Sequence, residues 1–280
     1  MSTAAPGWSS FRARVVRPGV LAAVVRRDWA VTRSYRLAFL LDVFFGLLEL
    51  VAYYFISRTF GDASPASLHG APSYFAFAAV GAVLGAPIYA ATAGVGFGLR
   101  QEQLRGTLEA LMANPLRPAE LCLGLTGFPF VFALARASLY LAVAAAWLHL
   151  DLGRTSWIGV LIVLIGTGVA LSALGVLAGA VVLVFKRGEV VAKATVYGIT
   201  LLSGSVFPIS TLPGWLQPLS KVLPMRFAFD GIRSALFEGG GWGVDAAVLA
   251  AYGAVALPLS ILVFSRAMRR ALRVGTLAQY

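Results

Sequence analysis

The residues able to do chemistry are few, and most stand where they cannot act together. The only histidines are His69 and His149, and the single cysteine is Cys122. Neither type forms a ligand pair at helical spacing, so no metal site is expected. The three lysines, Lys186, Lys193 and Lys221, all lie outside any GxxxxGK[ST] arrangement. A phosphate-cradling loop needs its lysine beside the glycines, so the chain is not expected to hydrolyse ATP by itself. Two groups of ionisable residues stand out. Glu102, Arg105 and Glu109 are spaced to pair on one helix surface. Asp42, Glu49 and Arg136 sit inside long apolar runs, where any charge is costly.

The elements that carry these residues follow from composition. The chain has 280 residues, 59% of them hydrophobic and 12% charged, with formal net charge +11. A soluble domain is about 45–50% apolar and about 25% charged. One cysteine excludes a disulfide scaffold, and so little charge excludes disorder. An integral membrane protein remains. Crossing hydrocarbon takes about 20 apolar residues, and six stretches qualify: Leu37–Ser57, Ser73–Leu99, Leu121–His149, Ser156–Phe185, Ala194–Thr211 and Ala246–Ser265. No segment is left for a soluble domain, and no apolar block before Leu37 suits a signal peptide. The expected organisation is a cytoplasmic start over 1–36, a six-helix all-α membrane domain over 37–265 and a basic tail over 266–280.

Orientation comes from cations at the span ends. With both termini in the cytoplasm, 17 Lys and Arg lie inside and five outside (Arg58, Arg154, Lys221, Arg226, Arg233), with Arg136 in the membrane. These cations hug the membrane edges, which suits anionic lipid and speaks against nucleic acid as partner.

Three connections are more structured than loops. Pro18–Arg36 reads as an amphipathic interfacial helix, with Leu21, Val24, Val25, Trp29, Val31 and Tyr35 on one arc and Arg26, Arg27 and Arg33 opposite. Asp28 falls in the apolar arc and needs a partner. Arg100–Pro118 reads as a short amphipathic helix, stopped at Asn114-Pro115, with Leu104, Leu108 and Leu111 facing away from Glu102, Arg105 and Glu109. Leu212–Asp245 is too polar to span and too apolar for a free loop. Two short helices, about Gly214–Val222 and Met225–Phe237, would dip into the outer leaflet, where bent backbone must be covered or line a wet cavity.

Asp42 and Glu49, seven residues apart, share a face of the first span, about 10.5 Å apart at helical rise. Glu49 lies twelve residues into its span and Arg136 fifteen into the third, so counting from the span ends predicts a Glu49–Arg136 pair, within a subunit or across a dimer. Such a pair either fixes helix register or forms a polar patch on a substrate route. Tyr53, Tyr54 and Phe55 suit an outer aromatic belt. Gly81/Gly85 and Gly175/Gly179 have the spacing of close helix packing. Gly94, Gly96 and Gly98 offer a hinge, and Pro87, Pro129 and Pro258 offer kinks.

EQLRGTLEALMANPLRPAELCLG resembles the connection between the second and third spans of ABC type-2 transporter permeases. LSGSVFPISTLPGWLQPLSKVLPMRFAFDGIR resembles their fifth span and following re-entrant hairpin, with the FP, LP, P and D..R landmarks (Pro208, Pro213, Pro224, Asp230, Arg233) in order. Met225-Arg226 stands where small or hydroxyl residues are commoner, and Ala113-Asn114 where threonine often precedes the proline. The resemblance implies a half-transporter of an exporter. A second permease copy would pair with it, and two separate nucleotide-binding ATPase subunits would carry ATP and Mg while this chain binds no cofactor. It also implies that Glu102, Arg105, Gly106, Thr107, Leu108 and Glu109 couple that ATPase to the spans. The location implied is a bacterial cytoplasmic membrane, and the cargo a drug-like molecule, lipid or glycolipid. A lipid-linked polysaccharide exporter is the neighbouring reading. An intramembrane lipid transferase is the reading from another class, although Asp62, His69, Asp151 and Asp245 form no compact motif for it.

Overall fold

The computed structural model describes residues 18–34, 36–60, 68, 70–107, 118–184 and 188–274. Among these the fold is all-helical: α1 (Pro18–Ser34), α2 (Arg36–Phe60), α3 (Tyr74–Leu104), α4 (Pro118–Trp147), α5 (Trp157–Val184), α6 (Gly188–Leu202), α7 (Gln217–Val222), α8 (Pro224–Arg233) and α9 (Trp242–Val274). Five helices are long and apolar enough to cross a membrane, namely Leu40–Thr59, Tyr74–Leu104, Pro118–Trp147, Trp157–Leu183 and Trp242–Ala271. The chain is a multi-pass membrane protein.

The central helix is α3, which α4 and α5 flank along its length. Its own small residues allow this: Ala76, Ala78, Ala79, Ala91 and Gly96 are all buried. On α5, a Cβ at Gly175 would stand 2.2 Å from the Ala91 carbonyl oxygen and one at Gly179 would stand 2.5 Å from Val95. The spacing read as close packing is therefore used between α5 and α3, where glycine lets the backbones touch. Ser73 caps the N-terminus of α3, its hydroxyl accepting from the Ala76 amide at 3.1 Å.

The expected fifth span, Ala194–Thr211, is not one long helix. α6 stops at Leu202 after 15 residues, about 22 Å at helical rise and short of about 30 Å of hydrocarbon. Gly204 then takes φ +79°, in the left-handed region, and Pro208 opens a 3-10 turn over Ile209–Thr211. Two short helices follow, α7 and α8, each shorter than the segments expected there, and Pro224 starts α8 at a position where proline's missing N–H costs nothing. A π-helical turn, Ser234–Glu238, and the left-handed Gly239 lead towards α9.

Candidate functional site

At its C-terminal end, α3 takes in Arg100–Leu104. The helix is closed by a glycine-terminated double bond: the Thr107 amide donates to the Glu102 carbonyl at 3.0 Å and the Gly106 amide to the Gln103 carbonyl at 3.1 Å. Gly106 has φ +69°, the conformation such a cap demands and glycine supplies without a Cβ penalty. This corrects the expected separate helix over 100–114 in its first part; Leu108, Glu109 and the rest of that segment lie outside the described residues. The expected Arg105–Glu102 pairing is replaced. The buried Glu102 carboxylate accepts from Thr107 Oγ1 at 2.5 Å and from Arg27 at 3.0 Å. Arg27 also meets Asp28 at 2.9 Å, which is how the acid in the apolar arc of α1 is satisfied. Trp29 of α1 packs edge-on against Phe128 of α4, centroids 6.5 Å apart. One arginine thus joins α1 to the end of α3.

Within the single subunit the expected pair is corrected. Arg136 Nη1 pairs with the Asp42 carboxylate, not with Glu49. Glu49 instead accepts a hydrogen bond from Tyr53, one turn on, at 3.1 Å. The misreading lay in the zero of depth. Counting from the apolar ends assumed that α2 and α4 start level, but α1 lies beside Phe128, well along α4. From that level Arg136 is eight residues up α4 and Asp42 six past the start of α2, about 12 and 9 Å. A second contact locks the register: the Tyr140 hydroxyl donates towards the Asp42 and Val43 carbonyls at 3.3 and 3.4 Å. It lies where a side chain on Gly46 would sit, 2.1 Å from that position. Gly46 and Tyr140 carried no signal in a single sequence.

Two cavities meet at this pair. The inner one, about 410 Å³, runs from Arg27, Glu102 and Arg105 past Gly94, Gly98 and Phe128 to Asp42 and Arg136. The outer one, about 530 Å³, shares Asp42 and Arg136 and continues past Glu49, Tyr53, Tyr140 and Gly81 to Thr200 and Ser205. The ion pair is the polar waist between them.

At the opposite end of α3, Arg233 of α8 is fully buried. Its Nη2 donates to three carbonyls, Phe77 at 3.1 Å, Gly204 at 2.8 Å and Ser205 at 3.2 Å. The guanidinium stacks 3.5 Å from the Phe77 ring centroid. Those carbonyls explain why α6 ends where it does: the guanidinium supplies the donors that a continued helix would have given. Gly81 lets α3 approach, since a Cβ there would stand 2.1 Å from the Ser205 oxygen. Asp230 ties to Arg226 at 3.1 Å and to Arg233 at 3.7 Å. Burial pushes the Arg233 guanidinium down, to about 9, even with the opposing pull of the Asp230 carboxylate beside it. Pro208 and Pro213 hold turns, their carbonyls accepting from Thr211 at 3.0 Å and Leu216 at 2.9 Å.

The sequence model of the ABC-2 type transporter family matches residues 20–237. The chain belongs to this family. It is therefore a transport permease subunit, not a catalytic domain, and the family normally pairs with an ATP-binding subunit. That disposes of the transferase reading. Among its relatives are the Nodulation protein J of Rhizobium leguminosarum bv. trifolii, 31% identical over 75% of this chain and 79% of that protein, and that of Sinorhizobium fredii, 27% identical over 59% and 63%. The Nodulation protein J of Rhizobium meliloti is 26% identical over 58% and 61%. The last two matches cover less than two thirds of those relatives.

Proposed function

We propose that the chain is the membrane subunit of an ATP-driven exporter, moving an amphipathic or hydrophobic molecule out across a bacterial cytoplasmic membrane. Two copies would enclose the route and two separate ATPase subunits would dock beneath, bringing ATP and Mg. The observation carrying this reading is the pair of cavities that runs from the Glu102 end of α3 to the broken end of α6. The inner cavity opens beside the residues proposed for coupling (Glu102, Arg105, Gly106, Thr107, with Leu108 and Glu109 beyond). Asp42 and Arg136 line both cavities and Glu49 lines the outer one, which supports a route that passes them.

In this reading α6 and the segment after it make the remaining crossing, so that both termini are cytoplasmic, as the distribution of cations requires. α1 lies in the inner interface, and α7 and α8 form the re-entrant hairpin. Trp215, Leu219 and Val222 are exposed on that hairpin, as a segment dipping into lipid would present them. The family's pairing with an ATP-binding subunit supports the partner.

Capture from native membranes tests this. The tagged permease should bring down an ATP-binding-cassette subunit that is lost on Glu102→Ala. Absence of any such ATPase from wild-type captures would overturn the reading.

A further inference from the structure

Three charged side chains line the outer cavity, Asp42, Glu49 and Arg136, and their charges do not cancel. Asp42 is taken by Arg136. Glu49 receives only the Tyr53 hydroxyl among the described residues. It stands halfway along the membrane-crossing part of α2, where a carboxylate without a counter-charge is costly. The cation nearest in sequence logic, Arg136, is already committed. The surrounding wall is aromatic: Phe45, Tyr53, Tyr89, Tyr140 and Tyr197 line the same space. A carboxylate among aromatic faces is the arrangement that holds an organic cation, by ion pairing at the carboxylate and attraction to the ring quadrupoles.

We propose that the outer cavity binds an organic cation, an ammonium or a delocalised onium carried on an apolar body, with Glu49 as its counter-charge. This rests on the exporter reading and names the chemical class of its cargo. The volume, about 530 Å³, fits the range of sites for drug-sized ligands. A cargo whose only charge is a phosphate or pyrophosphate, with no cationic group to face Glu49, is disfavoured in the same space, because Glu49 would repel it.

The test uses the purified permease and tetraphenylphosphonium, with the isosteric anion tetraphenylborate as control. In maltoside micelles, which carry no ammonium group, wild-type protein should bind the cation at least about tenfold more tightly than the anion. Glu49→Gln should weaken cation binding about tenfold, or about 1.4 kcal/mol, and Glu49→Asp should keep most of it. Adding phosphatidylethanolamine distinguishes two sources of the cation. Competition identifies a lipid headgroup as occupant, and no competition identifies a free amphiphilic cation. Equal binding of cation and anion, or a Glu49→Gln protein that binds the cation as wild type does, would overturn the proposal. No ATPase enters this assay, so its failure leaves the exporter reading standing, whereas failure of that reading shows as ATP turnover unmoved by the permease.

Discussion

Among single residues, the fully buried Arg233 and the half-buried Arg136 do different work. Arg136 answers one carboxylate and sets the offset between α2 and α4. Removing it alone leaves Asp42 unpaired in hydrocarbon. Arg136→Gln is expected to cost about 2–3 kcal/mol of stability, and Asp42→Asn should return most of it in the double variant. Glu49→Gln should return none, and denaturant titration in micelles of the three variants decides which acid is the partner. Arg233 answers three backbone carbonyls and one carboxylate. Arg233→Met strands all of them in a dry site, an expected loss of about 3–5 kcal/mol, while Arg233→Lys keeps the charge but cannot reach three carbonyls and should fall between. That Asp42, Glu49 and Arg136 mattered was legible from charge inside apolar runs. Which acid met Arg136 was not, because pairing depends on helix offset, and the offset is set by α1 against Phe128 and by Gly46 beneath Tyr140. Arg233 carried a motif but no hint of burial, since its partners are backbone atoms from two other elements.

Among elements, the ends of α3 and α6 are the informative places. α3 ends at a glycine whose left-handed φ closes the cap, and the next residue, Thr107, bonds the carboxylate that Arg27 holds from α1. The Gly-Thr pair is thus explained locally: Gly106 ends the helix and Thr107 finishes it. Gly106→Ala should cost about 1–2 kcal/mol through the forced left-handed backbone. It should also lower the permease-stimulated ATP turnover of a captured ATPase by several-fold at unchanged membrane yield. Unchanged stimulation would remove this cap from the coupling path. Long apolar runs revealed α2, α3, α4, α5 and α9 because length and hydropathy alone decide them. The break in α6 was not legible from hydropathy, since Leu201 to Phe207 contain no charge. It exists because Arg233 and Gly81 make a non-helical backbone affordable there.

For the whole molecule, the balance of +11 resolves into cations gathered at the span ends and a nearly charge-free interior, the distribution from which the proposed orientation is read. Within that interior, the few exceptions lie along two adjoining cavities. The family normally pairs with an ATP-binding subunit, and in the proposed reading the free energy for transport arrives from that subunit through the ends of α1 and α3. The account's central claim is that this permease and a cassette ATPase form one machine. The direct measurement is ATP turnover of the captured ATPase, reconstituted in lipid with wild-type permease and with Arg27→Glu. Wild-type permease should stimulate turnover several-fold, Arg27→Glu should abolish the stimulation, and pairing Arg27→Glu with Glu102→Arg should restore part of it. Turnover that is the same with and without the permease would contradict the account.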